Sequence, residues 1–143
     1  MGLSDPIDFP EGRYRQTAVA WLDRLLDALK LDATTLLGHS GGGVWALWYA
    51  LAHPDRVKRL VLLDVPTLPK TRCPLPIRLV GTPGLGQLLS RLWGERDSVG
   101  SIPVARAVAE LIPDARLEVL PTGHGPWLGQ PTRTAATVAD FVR

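Results

Sequence analysis

Between Tyr14 and Lys30 the apolar residues Ala18, Trp21, Leu22, Leu25, Leu26 and Leu29 recur at intervals of three and four, which lays them along one stripe of a helix. Thr34 to Gly38 then reads as a short apolar strand, and Val44 to Ala52 is an apolar stretch long enough for a second helix, which Pro54 ends. Arg59 to Asp64 is a continuous apolar run, the pattern of a strand buried on both faces of a parallel sheet. Val65 to Gly86 is rich in proline and glycine and reads as a loop, with a strand-like piece around Ile77 to Val80. Beyond it, Leu88 to Trp93 and Ala115 to Leu120 read as strands. Ile102 to Ile112 has helical periodicity opened by Pro103, and Thr132 to Arg143 reads as a last helix that starts at Gln130-Pro131-Thr132. Strands that alternate with helices predict an α/β fold with a parallel sheet of about four strands, joined by right-handed crossovers. No repeat or composition shift divides residues 1–143, so a single domain is expected.

The pattern between the first strand and the second helix narrows the chemistry. Gly38-His39-Ser40-Gly41-Gly42 matches G-x-S-x-G and joins a predicted strand directly to a predicted helix, the setting in which that motif turns a serine out of the chain at a sharp bend. At so tight a turn, side chains two residues before and after the serine would collide with the neighbouring strand or helix, which explains Gly38 and Gly42. The Gly41 amide and the positive end of the following helix would then face the position of an oxyanion. The competing reading is a glycine-rich turn that binds phosphate or merely packs tightly.

A serine hydroxyl needs a base, and the chain has three histidines. His39 is next to Ser40 and is expected to project away from it. His53 lies about 13 residues along the helix, roughly 20 Å from the serine. Both read as structural. His124, in Pro121-Thr122-Gly123-His124-Gly125-Pro126, follows the last strand, and function in parallel sheets gathers at the carboxyl ends of strands. The third member would orient that imidazole. Asp97, which follows the third strand, is one candidate, with alternative uses as a helix cap or a surface partner of Arg96; Asp64, which ends the second strand, is its rival, and the preference for Asp97 rests in part on the resemblance given next.

LLGHSGGG, HPDRVKRLVLLD, LWGERD and IPDARLEVLPTGHGPWLGQP together resemble the α/β-hydrolase fold superfamily, in its small esterase-like and C–C-bond-hydrolase-like branch, over nearly the whole chain. The resemblance implies Ser40 as nucleophile, Asp97 as acid, His124 as base and the Gly41 amide as one oxyanion donor. It also implies an ester or related acyl substrate and no metal or organic cofactor. Family members carry about four strands ahead of the serine, including a His-Gly loop that gives a second oxyanion amide, and a helical cap between the strands ending here at Asp64 and near Trp93. Neither has a counterpart in this sequence, so a truncated hydrolase fold is expected. Ser90 and Arg91 stand where the family has a proline and apolar residues, which predicts an internal deletion near that point.

With the preceding strands missing, the serine's strand becomes a sheet edge that invites self-association, and a missing oxyanion donor lowers turnover by about 10² to 10³. Two other readings therefore stand beside the serine hydrolase: a weak or inactive remnant acting as an interaction module, and a subunit completed by a separately encoded N-terminal half. Composition adds exclusions. Sixteen Lys and Arg against 14 Asp and Glu are scattered rather than clustered, which argues against nucleic acid. One cysteine, Cys73, forms no internal disulfide, no apolar run reaches the roughly 20 residues of a membrane span, and no leader pattern precedes Asp5, so a cytoplasmic protein is expected.

Overall fold

The computed structural model describes residues 7–65, 89–100, 102–103, 105–106 and 116–143. Helix α1 (Tyr14–Ala28) leads to strand β1 (Thr34–His39), helix α2 (Ser40–Ala52), a 3₁₀ turn (Pro54–Arg56) and strand β2 (Val57–Leu63). Strands β3 (Leu89–Gly94) and β4 (Arg116–Leu120) follow, then the short helix α3 (Pro126–Gly129) and the final helix α4 (Pro131–Val142). The strands form one parallel sheet in the order β1-β2-β3-β4, which agrees with the expected α/β half-sheet. Residues 102–103 and 105–106 are helical, inside the helix expected from Ile102; the strand-like piece expected at 77–80 lies outside the described residues.

Strand β2 is buried on both faces, as its unbroken apolar run requires. Leu60 and Leu62 face one core with Leu26 of α1 and Ala46, Tyr49 and Ala50 of α2. Val61 and Leu63 face another with Leu92, Leu120 and Phe141 of α4. The first core is fastened at its rim by Arg56. Its guanidinium bonds Asp23 of α1 at 2.7 Å and the Leu31 carbonyl at 2.8 Å, while Tyr49 donates to the same Asp23 oxygen. The Tyr49 hydrogen bond, with Arg56 nearby, outweighs desolvation and lowers the Asp23 pKa.

Trp21, Trp45 and Trp48 are half-buried in an aromatic cluster with Phe9 and Tyr14, where Trp45 Nε1 donates to the Tyr14 hydroxyl. Among the described residues β1 has β2 alone as a neighbour. Leu37 on it is 52% exposed, and no helix among the described residues is long and apolar enough to cross a membrane.

Candidate active site

The last residue of β1 passes straight into α2, and the reversal is completed within Ser40, whose φ of 49° lies in the left-handed region that costs an L-residue roughly 1–2 kcal/mol. The turn is tight enough that a Cβ on Gly38 would lie 2.5 Å from the Gly43 Cα and 2.8 Å from the Gly42 carbonyl oxygen. The glycine required after the serine is a different one from that expected. A Cβ on Gly42 would meet nothing, whereas one on Gly43 would strike the Val65 side chain and the Gly38 carbonyl. The helix has no side-chain cap, so the amides of its first turn, Gly41 among them, have no intrahelical acceptor and point out of its N-terminus beside Ser40.

Two loops at the carboxyl ends of β3 and β4 carry the other expected residues, and backbone contacts lock them together. Glu95 N donates to Leu120 O and Arg96 N to Thr122 O. Gly94 leaves room for this, because a Cβ there would meet the carbonyls of Thr122 and Gly123. His124 Nδ1 lies 3.0 Å from Asp97 Oδ2. The Asp97 side chain is fully buried, and its other oxygen accepts from the amides of Val99 and Gly100 at 2.7 and 3.1 Å. Burial alone would raise its pKa, but the His124 contact and the two amides hold it below the usual carboxylate value. The oxygen that His124 does not use thus closes a local turn with Val99 and Gly100, ahead of the helical residues at 102–103, and does not cap that helix. Arg96 turns to the Pro121 carbonyl, and no ion pair joins it to Asp97 among the described residues.

Asp64, the rival acid, is also fully buried, in a strained backbone position with φ 44°. It ties the two loops: Oδ1 accepts from Gly94 N at 2.7 Å and Oδ2 from Gly125 N at 3.3 Å, so it contacts the chain three residues before Asp97 and one after His124. Burial pushes its pKa up to about 6, with Asp97 adding to the rise. This positioning contact had no sequence signal beyond a carboxylate at a strand end.

His39 is closer to the centre than expected. Its ring centroid is 4.7 Å from that of His124 and 4.5 Å from that of Trp127, and burial, then His124, lowers its pKa. Histidine 53 stays remote, against Tyr49 at the end of α2. Trp93 is a core residue, 1% exposed with Nε1 donating to Gly100 O, while Trp127 lines an apolar groove of about 710 Å³ with Leu37, Leu63, Ala135, Val138 and Val142.

The arrangement has the makings of acyl-transfer chemistry: a serine on a strained turn, helix amides at its side, and a histidine oriented by a buried carboxylate. Residues 1–87 match the family model described as alpha/beta hydrolase fold. Homoserine O-acetyltransferase of Thermus thermophilus is 46% identical over 59 residues, which are 41% of this chain and 15% of that protein. The 2-hydroxy-6-oxo-2,4-heptadienoate hydrolase of Pseudomonas putida is 51% identical over 45 residues, 32% of this chain and 16% of that protein. Among solved structures, a hydrolase of Thermoplasma acidophilum predicted to be CIB-like superposes with a TM-score of 0.76 at 20% identity over 97% of this chain. The chain spans 64% of that structure's length, and the curated matches span about a sixth of theirs. With a family match across more than half of its residues, the chain belongs to the alpha/beta hydrolase fold family.

Proposed function

We propose that this chain is a serine hydrolase that cleaves ester or related acyl bonds through a Ser40-His124-Asp97 triad. The observation that carries the reading is the 3.0 Å contact between His124 Nδ1 and the buried Asp97 carboxylate. That contact fixes the tautomer in which Nδ1 bears the proton and Nε2 is free to act as base. Ser40 Oγ attacks the acyl carbon as its proton passes to Nε2, and the oxyanion forms against the Gly41 amide. The leaving group departs with the proton from His124. Water, deprotonated by the same nitrogen, then attacks the acyl-Ser40 ester, releasing the acid and restoring the hydroxyl. The buried Asp97 remains ionised throughout and stabilises the imidazolium. The substrate is a small acyl compound, and the protein works in the cytoplasm.

The test is hydrolysis of a short-chain p-nitrophenyl ester. Ser40→Ala removes the nucleophile and is expected to lower turnover by about 10³-fold or more with cooperative unfolding unchanged. Equal rates in the two folded proteins would sink the hydrolase reading.

A second reading, an interaction module that pairs with a second copy of itself, is favoured by the β1 edge. That strand has one neighbour among the described residues, and exposed Leu37 lies on it at the mouth of the apolar groove.

A further inference from the structure

We propose that His39, His124 and Asp64 form a binding site for one divalent transition-metal ion of the zinc class, and that occupancy blocks the site's chemistry. One donor atom from each of the three side chains lies within 4.8 Å of the others, with Asp64 buried and the two histidines half-buried. His39 Nε2 is buried and has no hydrogen-bond partner among the described residues, so a ligand there replaces none of the described contacts and satisfies a desolvated nitrogen. The ring beside it, His124, is already held from behind by the Asp97 carboxylate at Nδ1. Coordination through Nε2 keeps that contact intact and makes Asp97 the outer carboxylate that typically orients a metal-bound imidazole and raises its basicity.

Asp64 spends its shorter bond on Gly94 and a longer one on Gly125, and each carboxylate oxygen retains a lone pair. Two imidazole nitrogens and one carboxylate oxygen suit zinc, cobalt, nickel or copper rather than calcium or magnesium, and leave a fourth position for water. Metal–nitrogen bonds of about 2.0–2.1 Å set tetrahedral donors roughly 3.3 Å apart. Rotation of the His39 side chain, which has no bond at Nε2 to lose, supplies the closure.

Binding stands on these three residues alone; the inhibitory consequence rests on the proposed hydrolase reading. An ion on His124 Nε2 takes the lone pair that would accept the Ser40 proton, so metal and turnover exclude each other.

The experiment is equilibrium dialysis of the full chain against zinc chloride, with the ligand-field spectrum of cobalt as a second readout. One equivalent is expected to bind to wild type, to Ser40→Ala and to His53→Gln, with affinity at least 10-fold lower in His39→Gln. The cobalt spectrum of wild type should show low-symmetry nitrogen coordination. Ester hydrolysis should fall as zinc is added and recover with a chelator. Absence of stoichiometric binding by folded wild type overturns the site, as does unchanged affinity in His39→Gln or loss confined to His53→Gln. Should His39→Gln fail to fold, the wild-type spectrum decides, since aquo-cobalt alone is incompatible with the site. Because binding is read in Ser40→Ala without turnover, an inactive metal-free enzyme would count against the hydrolase reading and leave the metal site standing.

Discussion

Arg91 is 2% exposed on β3, and none of its three guanidinium nitrogens has a hydrogen-bond partner among the described residues. Burial pushes its pKa down to about 10, a direction that records how poorly the charged form is accommodated. With Ser90 it stands where the resemblance leads one to expect a proline and apolar residues, and the strand is nevertheless built, because Leu92 and Trp93 beside it are buried and Trp93 finds its acceptor. An unpaired buried polar group costs about 1–3 kcal/mol, more when charged. Arg91→Met, close in length and apolar, is therefore expected to raise the denaturant midpoint by an amount worth about 1–3 kcal/mol. An unchanged or lowered midpoint would mean that the guanidinium is satisfied in solution. Asp64 and Asp97 show the same physics with the opposite resolution: each lies fully buried but is met by two backbone amides.

At the scale of elements, the crowded side of the β1–α2 reversal is where glycine is needed. Gly38→Ala forces a Cβ against the α2 backbone and is expected to cost several kcal/mol or prevent folding, a penalty of the overpacking kind. Gly42→Ala meets open space in a helix and is expected to stabilise by up to about 1 kcal/mol. Thermal unfolding of the two variants checks both signs, and a stable Gly38→Ala would contradict the packing. All four strands and the three long helices follow from hydrophobic period and turn residues, to within a few residues at their ends. Periodicity placed the start of α2 at Val44, whereas it begins at Ser40, because three glycines in the first turn hide an apolar pattern without preventing helix. Ser40, Asp97 and His124 can be singled out in the sequence because each follows a strand, and of the three the structure joins Asp97 to His124. The approach of His39 to His124, and the Asp64 tie to Gly94 and Gly125, depend on contacts across 30 to 85 residues that no local pattern records.

Over the whole molecule, the sheet is covered unevenly. On the α1–α2 side its apolar faces are met by two long helices, while among the described residues Leu37 and the groove beside α4 have no such cover. A parallel edge strand with exposed leucine is a template for pairing, and the proposed partner is a second copy. Sedimentation velocity is expected to show mass rising with concentration, and Leu37→Lys, which puts a charge on that edge, should return the chain to monomer. A monomer at all concentrations in wild type would remove that reading. Whether Ser40 is a nucleophile is tested by covalent labelling of the folded chain with a fluorophosphonate, read by peptide mass. A single adduct on Ser40 is expected, lost in Ser40→Ala and slowed by orders of magnitude in His124→Ala, because the nucleophile depends on its base. A folded wild-type chain that takes no label, or one labelled equally fast without His124, would contradict it.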